Sequence, residues 1–344
     1  MRPGPTFEKV AILATARDPG PDRLATRDLE RILAPLLSRL RLPAGLIGDM
    51  TGIDSRRLYP RGSETLLGGV LASEKLFGES GYPREEVDLL YSASVGKDFL
   101  EPSTASAIHE RLGLGEDVAS LDLGSACLGF MEGMFLGALQ IEHGISRRTL
   151  VVAGENARPV LENTVEALLG DGDATRERFF ENFATLTLGS GGASVLLGRT
   201  EEDPLAPRIR RMVRKADPAS NRLCRGSHEG MVTDSGELLA KGVALAKKTF
   251  DLGRELHGWT PELFDLVVCH QVSEINTRKF ALALGLPWEK IAKTYPDHGN
   301  MGPVAVPFTL DLARERGLLK KGRTVLLAGI GSGLASAMME VVVP

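Results

Sequence analysis

Cys127 stands in the segment Asp122-Leu-Gly-Ser-Ala-Cys-Leu-Gly-Phe130, where a strand pattern runs out into small residues and the cysteine opens an apolar helix pattern. The first amides of a helix lack internal partners, and the helix dipole favours negative charge there. A thiolate at such a position has a lowered pKa and is a better nucleophile at neutral pH. The small flanking residues let backbone and substrate approach closely. The other reading of this cysteine is a buried structural thiol. His270 ends the apolar run Phe264-Asp-Leu-Val-Val-Cys-His270. A polar residue at the carboxyl end of a strand in an α/β sheet lies where ligands bind; the bland alternative is a hydrogen-bonded histidine closing a turn. Asn300 lies in Asp297-His-Gly-Asn-Met-Gly-Pro303. An asparagine there can serve the backbone alone, or its amide can donate to an oxygen that gains charge in a transition state. His298 shares that loop and is given no role.

Two glycine-rich segments look like phosphate loops only superficially. Gly329-Ile-Gly-Ser-Gly333 lacks a following Lys-Ser/Thr and runs into a strand pattern instead of a helix, so a nucleotide reading is weak. Its turn of exposed amides, with Ser332 inside it, fits an oxyanion hole beside the cysteine better. The Gly189–Gly192 cluster reads as a tight structural turn. Glu101, in Phe99-Leu-Glu-Pro-Ser-Thr104, reads on its own as a turn residue ahead of a helix capped by Ser103 or Thr104. Cys224 reads as structural, and Cys269 as buried in its strand.

The elements that must hold these residues alternate in type. Strand patterns lie at Val10–Leu13, Val87–Ala93, Val118–Leu123, Thr149–Ala153, Ala193–Leu197, Ile209–Val213, Phe264–Cys269, Thr324–Gly329 and Ser336–Val343. Helical spacing marks Asp28–Leu40, where Pro35 threatens a kink, together with Ser63–Phe77, Cys127–His143, Gly236–His257, Ser273–Leu284 and Pro303–Arg316. Such alternation predicts an α/β fold with largely parallel central strands. The two halves, 1–190 and 191–344, have similar element order, and Thr200–Pro207 is the most linker-like stretch.

Bulk properties bound the function. The chain has 344 residues, enough for two packed halves, with 43% hydrophobic and 25% charged residues, as in ordinary globular proteins. A net charge of −4 gives no reason to expect nucleic acid or an anionic membrane as the main partner. Three cysteines, an odd and low count, describe no disulfide framework and fit a reducing, cytoplasmic setting. Neither a zinc site nor any other metal or cofactor is expected. The N-terminal residues show no signal-peptide pattern. The longest apolar stretch, Cys127–Ile141, is interrupted by Glu132 and too short for a transmembrane segment.

Cysteine, histidine and asparagine in that chain order, with Ser125-Ala-Cys127-Leu-Gly, His270-Gln, Gly299-Asn300 and Gly329-Ile-Gly-Ser-Gly at matching spacing, resemble the thiolase superfamily, most of all its ketoacyl synthase III branch. The resemblance spans nearly the whole chain. Phe99-Leu-Glu101-Pro-Ser-Thr-Ala-Ser106, Leu223-Cys-Arg-Gly226, Met231-Val-Thr-Asp234 and His298-Gly-Asn-Met-Gly-Pro303 narrow it to the OleA-type acyl-CoA condensing enzymes of bacterial olefin biosynthesis. The fold implied is two similar βαβαβαββ halves packed as a five-layered αβαβα sandwich, typically in a homodimer.

The resemblance also implies a chemistry: non-decarboxylative Claisen condensation of two fatty acyl-CoAs to a β-keto acid, the first step towards an olefin, ketone or β-lactone. Cys127 would carry the first acyl group. The backbone amides of Cys127 and Ser332 would hold the oxyanion, and His270 and Asn300 the enolate oxygen. Glu101 would reach the partner's site as the base. Downstream olefin-pathway enzymes are further expected partners. A ketoacyl synthase III would instead condense acyl-CoA with malonyl-carrier protein, with Arg56-Arg57 and Arg208–Arg214 as scattered candidates for a basic docking or CoA-phosphate surface. A thioesterase would stop at the acyl-cysteine, and a non-catalytic acyl-binding partner would need no reactive thiol.

Overall fold

The computed structural model describes residues 5–227 and 230–344. Its first half runs β1 (Val10–Asp18), β2 (Asp22–Ala25), α1 (Thr26–Arg39), α2 (Leu46–Thr51), β3 (Ser55–Leu58), α3 (Leu67–Ser80), β4 (Leu89–Ser92), α4 (Thr104–Arg111), β5 (Ala119–Asp122), α5 (Gly129–Glu142), β6 (Thr149–Glu155), α6 (Arg158–Gly170), α7 (Arg176–Glu181) and β7 (Gly191–Arg199). The second half runs β8 (Arg208–Ala216), β9 (Cys224–Gly226), β10 (Met231–Thr233), α8 (Ser235–His257), β11 (Leu266–Cys269), α9 (Glu274–Leu284), α10 (Tyr295–His298), α11 (Ala305–Glu315), β12 (Thr324–Gly331) and β13 (Ala335–Val342).

Nine strands join in the order β11-β12-β13-β8-β1-β7-β6-β4-β5. The junction between β8 and β1 is one residue pair, Ala11 with Arg208. On either side of that junction the same pairing occurs. In the first half β1 is antiparallel to β7 and β7 to β6, while β6, β4 and β5 run parallel. In the second, β8 is antiparallel to β13 and β13 to β12, while β12 and β11 run parallel. A parallel bridge from Val267 to Ile291 stands where β5 stands in the first half. Because β7 pairs with β1 and β6, the change from one half to the other falls at 200–207, after the 190/191 division expected from sequence and within the linker-like stretch.

Alternating side chains produce five layers. Val10 and Ile12 face a central cluster with Met131, Met134 and Phe308, while Ala11 and Leu13 face Leu76, Phe77 and Ile108. Val325 and Leu327 join the same central cluster, while Leu326 and Ala328 meet Phe250 and Phe280. The inner faces of both strand sets therefore close on α5 and α11. Helices α3 and α4 cover one outer face, and α8 and α9 the other. Helix α5 is buried on most sides, as an all-apolar helix must be. Pro35 does not break α1. It lies on the exposed side, where water can satisfy the carbonyl that its missing N–H leaves open. The Gly189–Gly192 cluster is not a free turn: Gly191 and Gly192 begin β7. A Cβ at Gly192 would lie 1.9 Å from the Gly68 carbonyl oxygen, so the glycine lets α3 lie directly on the strand. Among the described residues no helix is long and apolar enough to cross a membrane.

Candidate active site

The cysteine corner comes first. After β5 the chain passes through a 3-10 turn, Ala126–Leu128, and α5 proper starts at Gly129. Ala126 has φ +44, a left-handed conformation uncommon for a residue with a Cβ. Cys127 thus sits on a constrained corner one turn ahead of the helix, not at its first residue. The lowered thiol pKa expected from a helix N-terminus is not found. Burial pushes the Cys127 thiol up to about 12, nearby Glu155 and Cys224 add to the rise, and the local backbone amide opposes it. Removal from water outweighs the dipole, so the resting nucleophile is a neutral thiol.

The end of β12 seals one side of this corner. A Cβ at Gly331 would lie 3.1 Å from Leu128 Cγ and 3.2 Å from the Leu128 amide nitrogen; one at Gly329 would lie 2.5 Å from Leu128 Cδ2 and 3.9 Å from His270 Cβ. Only glycine lets the strand approach this closely, and the approach brings the Ser332 turn against the Cys127 turn.

His270 follows β11, and its amide donates to the Ala328 carbonyl at 2.8 Å, which fixes it beside β12. Burial pushes its ring down to about 4, with the neighbouring Asn300 side chain acting the other way. At neutral pH the ring is therefore uncharged. Its Nε2 is buried and makes no hydrogen bond among the described residues. Asn300 is tied by its backbone: its amide donates to Thr187 at 2.9 Å, and its carbonyl accepts from Gly189 at 2.9 Å. Gly299 (φ +67) makes that crossing possible, since a Cβ there would lie 2.6 Å from the Thr187 oxygen. The Asn300 Oδ1 accepts from the Gly302 amide at 3.0 Å. With the oxygen so engaged, the side-chain NH2 is left to donate. The oxygen serves the turn, and the side chain lies beside the His270 ring.

Three of the expected residues thus come from a strand end (His270), a 3-10 turn after a strand (Cys127) and a turn after a short helix (Asn300). Glu101 does not join them within one chain. It is exposed, beside Phe99 and Leu100, which are 49% and 93% exposed, and ahead of α4, whose cap is Ser103 accepting from the Ser106 amide at 3.1 Å. Sequence reading missed Glu155, at the end of β6. It faces Gly302, whose added Cβ would lie 3.9 Å from Glu155 Cγ, and it acts on the Cys127 thiol. A lone glutamate in Ala-Gly-Glu-Asn156 carries no sequence signal of this. Cys127, His270 and Glu155 all keep some accessible surface, although burial dominates their titration.

A cleft of about 900 Å³ lies between α7, the β9–β10 hairpin and the start of α8. Phe180, Phe183, Leu223 and Val232 give it apolar walls, and its charged lining is mixed, with Arg222 and Arg225 on the β9 side and Glu177, Glu181 and Asp234 around them. Cys224, between Leu223 and Arg225, lies near enough to act on the Cys127 thiol, so this wall leads towards the nucleophile. The basic candidates from sequence fare differently. Arg56 is fully buried, donates to the Leu186 carbonyl and to Thr26 Oγ1, and is unavailable to a phosphate. Arg211 and Arg214 pair with Glu340 and Glu132. Among the described residues no three His, Cys, Asp or Glu side chains gather as a metal centre.

Comparison with known proteins agrees with this geometry. Residues 255–341 match the family model described as 3-oxoacyl-[acyl-carrier-protein] synthase III C terminal. The acyl-CoA:acyl-CoA alkyltransferase of Xanthomonas campestris is 38% identical over 336 residues, covering 98% of this chain and 99% of that protein. The enzyme of the same name from Shewanella oneidensis is 34% identical, covering 97% and 99%. A solved structure of a cysteine-to-serine variant of Xanthomonas campestris OleA, with bound lauric acid and lauroyl-CoA, superposes with a TM-score of 0.95 at 38% identity, covering 98% of this chain and 99% of that one.

Proposed function

The chain belongs to the acyl-CoA:acyl-CoA alkyltransferase (OleA) family within the ketoacyl synthase III-like branch of the thiolase superfamily, and from that premise we propose that it joins two fatty acyl-CoAs head to head, through an acyl-cysteine at Cys127, to give a β-keto acid. The observation that carries the reading is the position of His270, with its Nε2 buried, at the end of β11 with the Asn300 side chain beside its ring, against the β12 end that packs on the Cys127 turn.

Because thiol and imidazole are both neutral at rest, no thiolate–imidazolium pair is formed in advance. His270 Nε2 takes the thiol proton as sulfur attacks the first thioester, and gives it to the CoA sulfur as that bond breaks. The amides of Cys127 and Ser332 hold the oxyanion. The second acyl-CoA then loses an α-proton. A neutral imidazole carries one N–H and serves as acceptor or donor at Nε2 according to tautomer, so His270 in its Nε2–H form and Asn300 Nδ2 both donate to the enolate oxygen. The enolate carbon attacks the acyl-cysteine, sulfur departs and regains a proton, and water releases CoA from the β-keto thioester. The cleft beside Arg222 and Arg225 fits the polar end of acyl-CoA, with two cations for its phosphates.

The base is Glu101 of the partner subunit. Strand β5 ends the sheet, with no strand on its outer side among the described residues, and Leu121 on it is 51% exposed. Together with Val95, Phe99 and Leu100 this edge makes an exposed apolar surface around Glu101. A homodimer that covers it carries the carboxylate towards the second site. The free cysteines fit a cytoplasmic location, and the β-keto acid passes to enzymes of olefin synthesis. The test is Glu101→Gln. Acylation of Cys127 is expected to stay within about twofold, while condensation falls about 10²–10⁴-fold, the usual range for losing a positioned base. Equal loss of both steps, or condensation unchanged, overturns the role.

A further inference from the structure

Glu155 has no task in the scheme above, yet it binds the start of the Glu101 loop and lies against the Asn300–Gly302 turn and near Cys127. Its Oε1 accepts from the Val95 amide at 2.5 Å and its Oε2 from the Gly96 amide at 3.3 Å. These amides start the loop that ends in Glu101. The rest of that loop is tied down by two further carboxylates. Asp98 accepts from the amides of Thr65 (2.7 Å) and Leu66 (3.3 Å) at the start of α3. Asp122, five residues before Cys127, pairs with Lys97 and accepts from the amides of Thr104 (3.1 Å) and Ala105 (2.7 Å). Only the stretch around Glu101 is left to project. Glu155 also packs on the Asn300 loop through Gly302 and faces Cys127, so one side chain joins the loop to both halves of the site.

We propose that Glu155 is a positioning residue that fixes the base of the Glu101 loop from the nucleophile side, so that replacing it impairs condensation more in the partner subunit's site than in its own. This rests on the reading of Glu101 as acting in the partner. The chemistry demands a carboxylate, because two separate amides are met by two separate oxygens. A glutamine offers one acceptor and one NH2, and leaves an N–H facing a donor. Burial holds the Glu155 carboxyl up to about 7, against the Val95 and Gly96 amides and Lys97, with Asp98 adding to the rise. The clamp therefore weakens as pH falls through neutrality.

Differently tagged heterodimers test this with myristoyl-CoA as the substrate. In one pairing, a chain carrying Cys127→Ala and Glu155→Gln is joined to an unaltered chain; the working thiol then relies on a loop without its clamp. In the other, a Cys127→Ala chain is joined to a Glu155→Gln chain; the working thiol has the substitution beside it but receives an intact loop. Condensation is expected to fall at least about tenfold in the first pairing, the scale of a small misplacement of a reacting group, with the acyl adduct on Cys127 still forming, and to fall several times less in the second, where Glu155 only neighbours the thiol. Intact chains should also show condensation declining below pH 7, and the first pairing should lose the part of that decline due to Glu155. Glu155→Asp, which keeps the charge but not the reach, should show the same pattern at smaller size, and serves if Glu155→Gln does not fold. A larger loss in the second pairing than in the first, or equal loss in both, overturns the proposal. The same pairings with Glu101→Gln separate the two ideas. If that loss follows the subunit that supplies the loop while the Glu155 loss does not, the clamp alone fails. If the Glu101 loss follows the subunit with the thiol, or sizing shows a monomer, the reading beneath it fails too.

Discussion

The carboxyl ends of β4 and β11 occupy equivalent places in the two halves, and they finish differently. Strand β11 delivers His270 at once, into a space where burial keeps the ring neutral. Strand β4 is followed by a loop that leaves the interior and ends in exposed Phe99, Leu100 and Glu101. The neighbouring strand ends differ as well: β6 closes with Glu155, and β12 with the Gly331–Ser332 turn that packs on the cysteine corner. The repeated pairing supplies a set of strand ends facing one space. What each end does depends on how many residues follow and how polar they are. On this account the inward ends serve the chain's own thiol, and the one outward loop serves a second copy.

Removing the inward groups should give the largest effects and divide the labour between them. His270→Ala should slow both Cys127 acylation and condensation, and Asn300→Ala mainly condensation, each by about 10²–10³-fold as for loss of one oxyanion donor. Quenched-flow mass measurement of the adduct against product release tells the steps apart; an Asn300 variant that acylates slowly would erase the distinction drawn here. A smaller effect tests the packing. Gly331→Ala should cost about 1–3 kcal/mol by overpacking against Leu128, whereas Gly124→Ala, where an added Cβ meets nothing within 4 Å, should change stability by less than about 0.5 kcal/mol. Urea midpoints check both, and equal costs would contradict the close approach of β12.

The smallest expected effect is on pH dependence. Burial holds both His270 and His298 down to about 4, so between about 4 and the usual histidine value the unfolded chain binds more protons than the folded one. The stability that these two rings contribute is then full above pH 6.5 and is lost as pH falls, while Glu155, held up to about 7, contributes in the opposite sense. From pH 7 to 5 each ring accounts for a loss of about 2 kcal/mol. His270→Gln should flatten that slope by about half of the two-histidine total, and an unchanged slope would mean that the ring is open to water.

The inward region was largely legible in the sequence, and the outward one was not. Apolar strands such as Leu266–Cys269, and helices such as Gly129–Glu142, are marked by burial patterns that survive without tertiary context. Their ends therefore located Cys127, His270 and Asn300. The sign of the thiol's shift was misjudged because the dipole of a helix is visible in sequence and the depth of its burial is not. Helices α6 and α7 and the two small ribbons escaped notice, being short or only partly buried. Glu155 and Arg222 gain meaning only from neighbours far away in sequence: the Val95 and Gly96 amides in one case, and the walls of the cleft in the other. Glu101 was reached through family resemblance alone, since nothing local separates it from a turn residue.

The most direct measurement is mass analysis of the protein and its products after incubation with myristoyl-CoA alone, beside a Cys127→Ala control. The account predicts a myristoyl adduct on Cys127, absent from the control, together with a β-keto acid or the ketone left when it loses carbon dioxide. An adduct that yields only myristate, with a condensed product appearing only after malonyl-carrier protein is added, would contradict head-to-head condensation and make the chain a ketoacyl synthase III in activity.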